Sequence, residues 1–123
     1  MAGKYEKDFQ KQVERYLIDN AHKLLEVEKE YYSPKNYQKI DVMSKFNGKV
    51  YYTEIKTYPE EQALQQGIGQ LILYKFTHQY EENIIHQLAF PIYCLNNRTC
   101  ITEQLEKFLD EKFNIKIIYV DWK

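Results

Sequence analysis

Glycine and proline are scarce in this chain of 123 residues, at four and three, so long flexible or proline-rich linkers are not expected. Long apolar runs are missing as well. The longest are short and strand-like, far below the roughly 20 residues that carry a helix across a bilayer. The N-terminus has no basic segment leading into an apolar stretch and a cleavage site, so no signal peptide is expected and the chain reads as cytoplasmic, without a membrane. Cysteine occurs only as Cys94 and Cys100, with no CxxC pair. That excludes a disulfide framework or a cysteine zinc site and leaves two reduced thiols as the expectation. A surplus of positive charge is also lacking: 17 Lys and Arg stand against 18 Asp and Glu, a net charge of −1. A protein that merely coats nucleic acid would be basic. There is no Walker-type loop and no nucleophile elbow, and His22, His78 and His86 are not at metal-ligand spacing.

What is present fits an ordinary globular domain. Hydrophobic residues make up 44% and charged residues 28%, and the length suits one domain over 1–123 with a core of its own. Residues 5–25 have a helical pattern in which Phe9, Val13, Tyr16, Leu17 and Leu24 form one stripe. A strand is expected over 25–32, closed by Ser33-Pro34. A second is expected over 39–46 and a third over 49–57, joined by the hairpin dipeptide Asn47-Gly48. Pro59-Glu60-Glu61 opens a long helix to about residue 80. A strand over 88–95, a helix over 102–113 capped by Thr102, and a last strand over 115–120 complete the chain. The order αβββαβαβ predicts an α/β fold, a mixed sheet flanked by helices on both faces.

Three charged residues stand out against that frame. Side chains alternate along a strand, so Glu54 and Lys56 share a face. Asp41 precedes Glu54 by 13 residues, a separation that a short hairpin turns into proximity. Asp41 also lies between Ile40 and Val42, an apolar setting in which a charge is costly without a partner. Two carboxylates on neighbouring strands suit a hard cation such as Mg²⁺, and an adjacent lysine suits a developing phosphorane charge. A metal site of this kind tolerates an acidic balance, because the cation restores positive charge where phosphate binds. The structural alternative is a solvated sheet face.

On the long helix Gln66, Gln70 and Tyr74 lie four apart along one edge. Leu64, Ile68, Leu71 and Ile72 are the expected buried stripe beside them, with Gly67 and Gly69 allowing a close approach to the sheet. The amides and the phenol either contact a phosphate or a base, or simply rim the core.

Asp41, Glu54-Ile55-Lys56 and Gln70-Leu71-Ile72-Leu73-Tyr74, in that order, resemble the PD-(D/E)XK nuclease superfamily with its QxxxY motif. The resemblance spans most of the chain, although Ile40 stands where the proline that names the motif would be. It implies a restriction-endonuclease-like core and a Mg²⁺- or Mn²⁺-dependent nuclease leaving a 5′-phosphate, with DNA favoured over RNA as the substrate and the choice between them left open by the sequence. Asp41, Glu54 and the Ile55 carbonyl would hold the metal, Lys56 would sit by the attacking water, and Gln70 and Tyr74 would contact the nucleic-acid backbone. The superfamily also draws an acid from the first helix. Glu6 falls inside the apolar stripe and is favoured, with Glu14 as the alternative. Relatives of similar size include Holliday-junction resolvases, VRR nucleases and XisH-type excision-control proteins, and a homodimer would suit so small a domain. The rival readings are a non-catalytic nucleic-acid-binding or regulatory module on the same fold, and a partner-dependent subunit of a DNA excision or defence assembly.

Overall fold

The computed structural model describes residues 4–26, 41–57, 61–77, 84–96 and 102–122. Helix α1 (Lys4–Asp19) leads into a short strand β1 (Lys23–Leu25). Strands β2 (Val42–Phe46) and β3 (Lys49–Ile55) follow, then helix α2 (Glu61–Thr77), strand β4 (Ile84–Pro91), a 3₁₀ turn (Ile92–Asn96), helix α3 (Glu103–Phe113) and strand β5 (Ile115–Val120). The α/β order expected from the sequence is therefore observed.

The five strands lie side by side in chain order. β1, β2 and β3 are antiparallel to one another, whereas β4 runs parallel to β3 and β5 parallel to β4. The hairpin between β2 and β3 turns on Asn47 and Gly48, both at positive φ (51° and 77°), the backbone that a two-residue turn of this twist requires. Parallel neighbours need crossovers, and α2 and α3 supply them. Both crossovers step the same way across the sheet, which with a common hand puts their helices on one face.

The core divides accordingly. Leu64 and Leu71 of α2 and Leu109 of α3 pack with Met43, Tyr52, Ile84, Leu88, Phe90 and Ile115. On the opposite face Phe9, Val13 and Leu17 of α1 meet Val42, Ile55, Ala89 and Val120. Strand residues alternate between the two clusters: Met43 and Val42, Tyr52 and Ile55, Leu88 and Ala89.

Several sequence boundaries shift, each for a local reason. α1 ends at Asp19, not near residue 25: Ala21 adopts a positive φ of 69°, and residues 23–25 are taken up by pairing with β2. Leu24 thus packs against the α1 cluster from a strand. The expected first strand is observed only as Lys23–Leu25; residues 27–40 lie outside the described residues. β4 begins at Ile84, four residues before the expected start, and is buried along its whole length. Its polar centre, His86 and Gln87, masks it as a strand, yet both are 3% exposed. Pro91 closes the strand because it brings no N–H to a ladder, and residues expected to extend it form the 3₁₀ turn instead. Ile72 was expected in the buried stripe of α2 but is 38% exposed.

The cap of α3 is as expected. The Thr102 hydroxyl accepts from the Leu105 N–H at 3.1 Å, and Asn114 closes the far end in the left-handed region (φ 54°). Thr102→Ala should lower stability by about 1 kcal/mol, read as a lower urea midpoint with an unchanged slope. No change in midpoint would show that the cap contributes nothing.

Candidate metal centre

The register of the hairpin puts the two acids together. Val42 faces Thr53 and Met43 faces Tyr52, so one step outward Asp41 falls opposite Glu54. Asp41 stands just before β2, and its Oδ2 accepts the Ile55 N–H at 2.9 Å. Glu54 points to the α2 face, like Tyr52, and is 2% exposed. The next N–H, that of Lys56, donates to the Ala89 carbonyl at 3.0 Å. The site therefore lies at the carboxyl ends of the parallel strands, where ligands of open α/β sheets commonly bind.

The electrostatics of Asp41 describe its surroundings. Burial pushes its carboxyl above the usual range. The Ile55 amide, a side-chain hydrogen bond with Glu54 and the charge of Lys56 pull it down, while the charge of Glu6 pushes it up. Glu54, Lys56 and Glu6 thus all act on Asp41. Two carboxylates that face each other repel, so a proton or a cation held between them lowers the cost of bringing them together.

Two facing carboxylates, Glu54 buried and Asp41 half-buried, are the oxygen donor set that a hard divalent cation fits. Among the described residues no group of three or more His, Cys, Asp and Glu side chains is arranged to hold a metal. Any ion here would complete its shell from backbone oxygen and water, as Mg²⁺ commonly does.

Lys56 is half-buried and runs beside α2. A Cβ built on Gly67 would lie 3.4 Å from its Cε and 2.7 Å from Cδ2 of Leu88. The close approach expected of Gly67 is thus observed, whereas Gly69 meets nothing within 4 Å. Gln70 is half-buried, and its Oε1 is buried with no hydrogen-bond partner among the described residues. Gln66 is exposed. The Tyr74 side chain lies outside the described residues, as do His78 and Cys100.

Of the two first-helix acids, Glu6 is exposed and its charge reaches Asp41. Glu14 is half-buried and lines a groove of about 380 Å³ with Gln10, Leu24 and Asp41. Both approach the site, Glu6 from the first turn of α1 and Glu14 from its middle.

The remaining candidates are accounted for by packing. His22 hydrogen-bonds Ser44 Oγ at 2.9 Å and stacks on Phe46, and burial lowers its pKa. His86 stands edge-on to Tyr52, and Cys94 is 1% exposed. Two contacts at this end of the sheet have no local signature in the sequence. The Tyr93 hydroxyl donates to the Thr57 carbonyl at 2.7 Å, and the Trp122 indole donates to Asp8 Oδ2 at 2.8 Å.

The raised Asp41 pKa has a consequence for stability. The folded, metal-free protein holds its proton more tightly than the unfolded chain, so this group's contribution to stability is present at low pH. It is lost as pH rises from the ordinary aspartate value through the raised one. The melting temperature of metal-free protein should fall across that window, and Asp41→Asn should remove that component of the slope. An identical pH dependence in both proteins would show that Asp41 is not its source.

No protein-family model matches this chain, and no curated protein matches it. Among solved structures, an XisH family protein from Nostoc punctiforme superposes with a TM-score of 0.65 at 15% identity, covering 94% of this chain and 91% of that one. An fdxN element excision controlling factor protein from Anabaena variabilis does so with the same TM-score and identity, over 94% and 92%. At that identity the likeness is one of fold: this chain shares, over nearly its whole length, the architecture of XisH family proteins.

Proposed function

We propose that the chain is a metal-dependent nuclease hydrolysing phosphodiester bonds, in DNA rather than RNA. The observation that carries the reading is the hairpin register that brings Asp41 opposite Glu54, with Asp41 Oδ2 fixed by the Ile55 N–H at 2.9 Å. Two facing carboxyls, Glu54 buried and Asp41 half-buried, are unfavourable for folding alone, and a divalent cation would turn them into a binding site. Asp41, Glu54 and the Ile55 carbonyl would hold Mg²⁺ or Mn²⁺, which when bound supplies Lewis acidity toward the phosphate and toward a coordinated water. Lys56, held between β3 and α2, places a positive charge where the phosphorus acquires negative charge. The Ile55 N–H orients Asp41, and Gln70 and Tyr74, four residues apart on α2, would contact the substrate backbone.

The test is incubation of the purified protein with single-stranded, duplex and branched DNA and with RNA, each with Mg²⁺ or Mn²⁺. Cleavage that needs the metal and is lost in Asp41→Asn supports the reading. Binding without cleavage under every condition favours a non-catalytic module instead. The structural neighbours favour one second reading, a partner-dependent component of a DNA excision assembly, since one of them is named as an excision controlling factor. Cleavage that appears only when a partner protein is added would select it.

A further inference from the structure

The last residues of the chain reach back to the first helix. Trp122 follows β5, and its indole N–H donates to Asp8 Oδ2 at 2.8 Å. Its ring lies 5.0 Å from that of Phe9, tilted by 36°. Phe9 is fully buried in the α1 cluster and Trp122 packs partly buried against it, so the indole is held at one end by packing and at the other by a charge-assisted hydrogen bond.

The helix wheel gives this contact a direction. With Phe9 facing the sheet, Asp8 is turned about 100° to one side and Glu6 about 60° to the other. The strand order puts β2 and β5 on opposite sides of β3. Asp8 accordingly meets Trp122 beyond β5, and Glu6 is left on the flank toward Asp41 at the start of β2. The charge of Glu6 does act on Asp41.

We propose that Trp122, acting through Asp8, is a positioning residue for Glu6: the segment after β5 pins the far flank of α1 and so fixes the orientation in which the Glu6 carboxylate is presented to the Asp41–Glu54 pair. This rests on the nuclease reading, with Glu6 acting on the Asp41–Glu54 pair through its charge and not as a third ligand. The first turn of a helix is otherwise free to fray, because its leading N–H groups have no partner within the helix. A carboxylate on a fraying turn is a poor element of a preorganised site.

The test uses Mn²⁺ binding without substrate, followed by calorimetry, alongside the Mg²⁺ concentration needed for half-maximal cleavage. Trp122→Phe keeps a ring against Phe9 and removes the N–H; Asp8→Ala removes the acceptor; Asp8→Asn keeps one. Trp122→Phe and Asp8→Ala should each weaken Mn²⁺ binding by about 10-fold, the scale on which groups outside the ligand set act, while Asp8→Asn restores most of it. In a Glu6→Gln background Trp122→Phe should have no further effect. Trp122 is also the sole tryptophan, so metal binding should shift its emission in the natural chain and not in Glu6→Gln.

Equal weakening by Trp122→Phe with and without Glu6 would overturn the proposal, because the indole would then act through general stability. Unchanged binding in Trp122→Phe would overturn it while leaving the nuclease reading intact, provided Asp41→Asn still abolishes binding. Mn²⁺ binding that is absent, or indifferent to Asp41→Asn, would overturn both.

Discussion

Replacing Asp41 by Asn is expected to lower metal-dependent cleavage by about 10³-fold or more and, in the same protein, to raise the melting temperature without metal. The two effects have one origin. The carboxyl of Asp41 is desolvated and faces Glu54 and the charge of Glu6, so its ionised form is unfavourable in the metal-free fold. Asparagine keeps an oxygen to accept the Ile55 N–H, the bond that measures 2.9 Å, while it removes the charge. The fold should gain from that exchange. The site loses the negative charge that binds a cation, and with it several kcal/mol of transition-state stabilisation; each 1.36 kcal/mol is tenfold in rate. A residue present only for packing would not lose activity while gaining stability. Kinetics and a thermal melt of one variant examine both halves, and a variant that cleaves normally or melts lower without metal would contradict the account.

The second large effect is expected at Gly67. In an exposed helix interior, Gly→Ala is worth up to about 1 kcal/mol in favour of alanine. Here the added Cβ would stand 2.7 Å from Cδ2 of Leu88. Leu88 is fully buried within the α2-face core, so its methyl must shift against packed neighbours, and overpacking of this kind costs about 1–3 kcal/mol. The clash outweighs the propensity gain, and Gly67→Ala should be destabilised on balance. It should also slow cleavage by about 10- to 100-fold. The same Cβ comes within 3.4 Å of Lys56 Cε, and small displacements of a catalytic group are costly at that scale. Gly69→Ala is the control, because nothing lies within 4 Å of its position; it should be neutral or stabilising. Adding Leu88→Ala to Gly67→Ala should make the pair less damaging than the sum of the two, since each relieves the other. Urea melts and initial rates on the natural chain and the four variants decide it, and a stabilised, fully active Gly67→Ala would refute the close approach.

Some of this was legible in the chain and some was not, for physical reasons. The Asn47-Gly48 turn could be read because few dipeptides adopt positive φ at both positions. Once that turn is known, strand alternation places Asp41 opposite Glu54 without any tertiary information. Thr102 and the last strand were legible on the same local grounds. β4 was misplaced by four residues because its strand signal depends on tertiary satisfaction. Gln87 is buried only because its side-chain amide donates to Thr53 Oγ1 at 2.8 Å across the sheet, a pairing invisible to a residue scale. The end of α1 was overrun because Leu24 continues the helical period while belonging to a strand. Ile72 continues the apolar pattern of α2 but is exposed, as periodicity alone does not say how much of a helix a sheet can cover. The contact between Asp8 and Trp122 joins the two ends of the chain, and no local pattern announces it.

The central claim is that Asp41 and Glu54 together hold a divalent cation, whose binding competes with protons at the raised Asp41 carboxyl. The most direct measurement is calorimetric titration of Mn²⁺ into metal-free protein in two buffers of different ionisation enthalpy, with Asp41→Asn as the comparison. The account predicts saturable binding accompanied by release of protons, with both lost in Asp41→Asn. Binding of equal strength to the natural chain and the variant, or none to either, would contradict it.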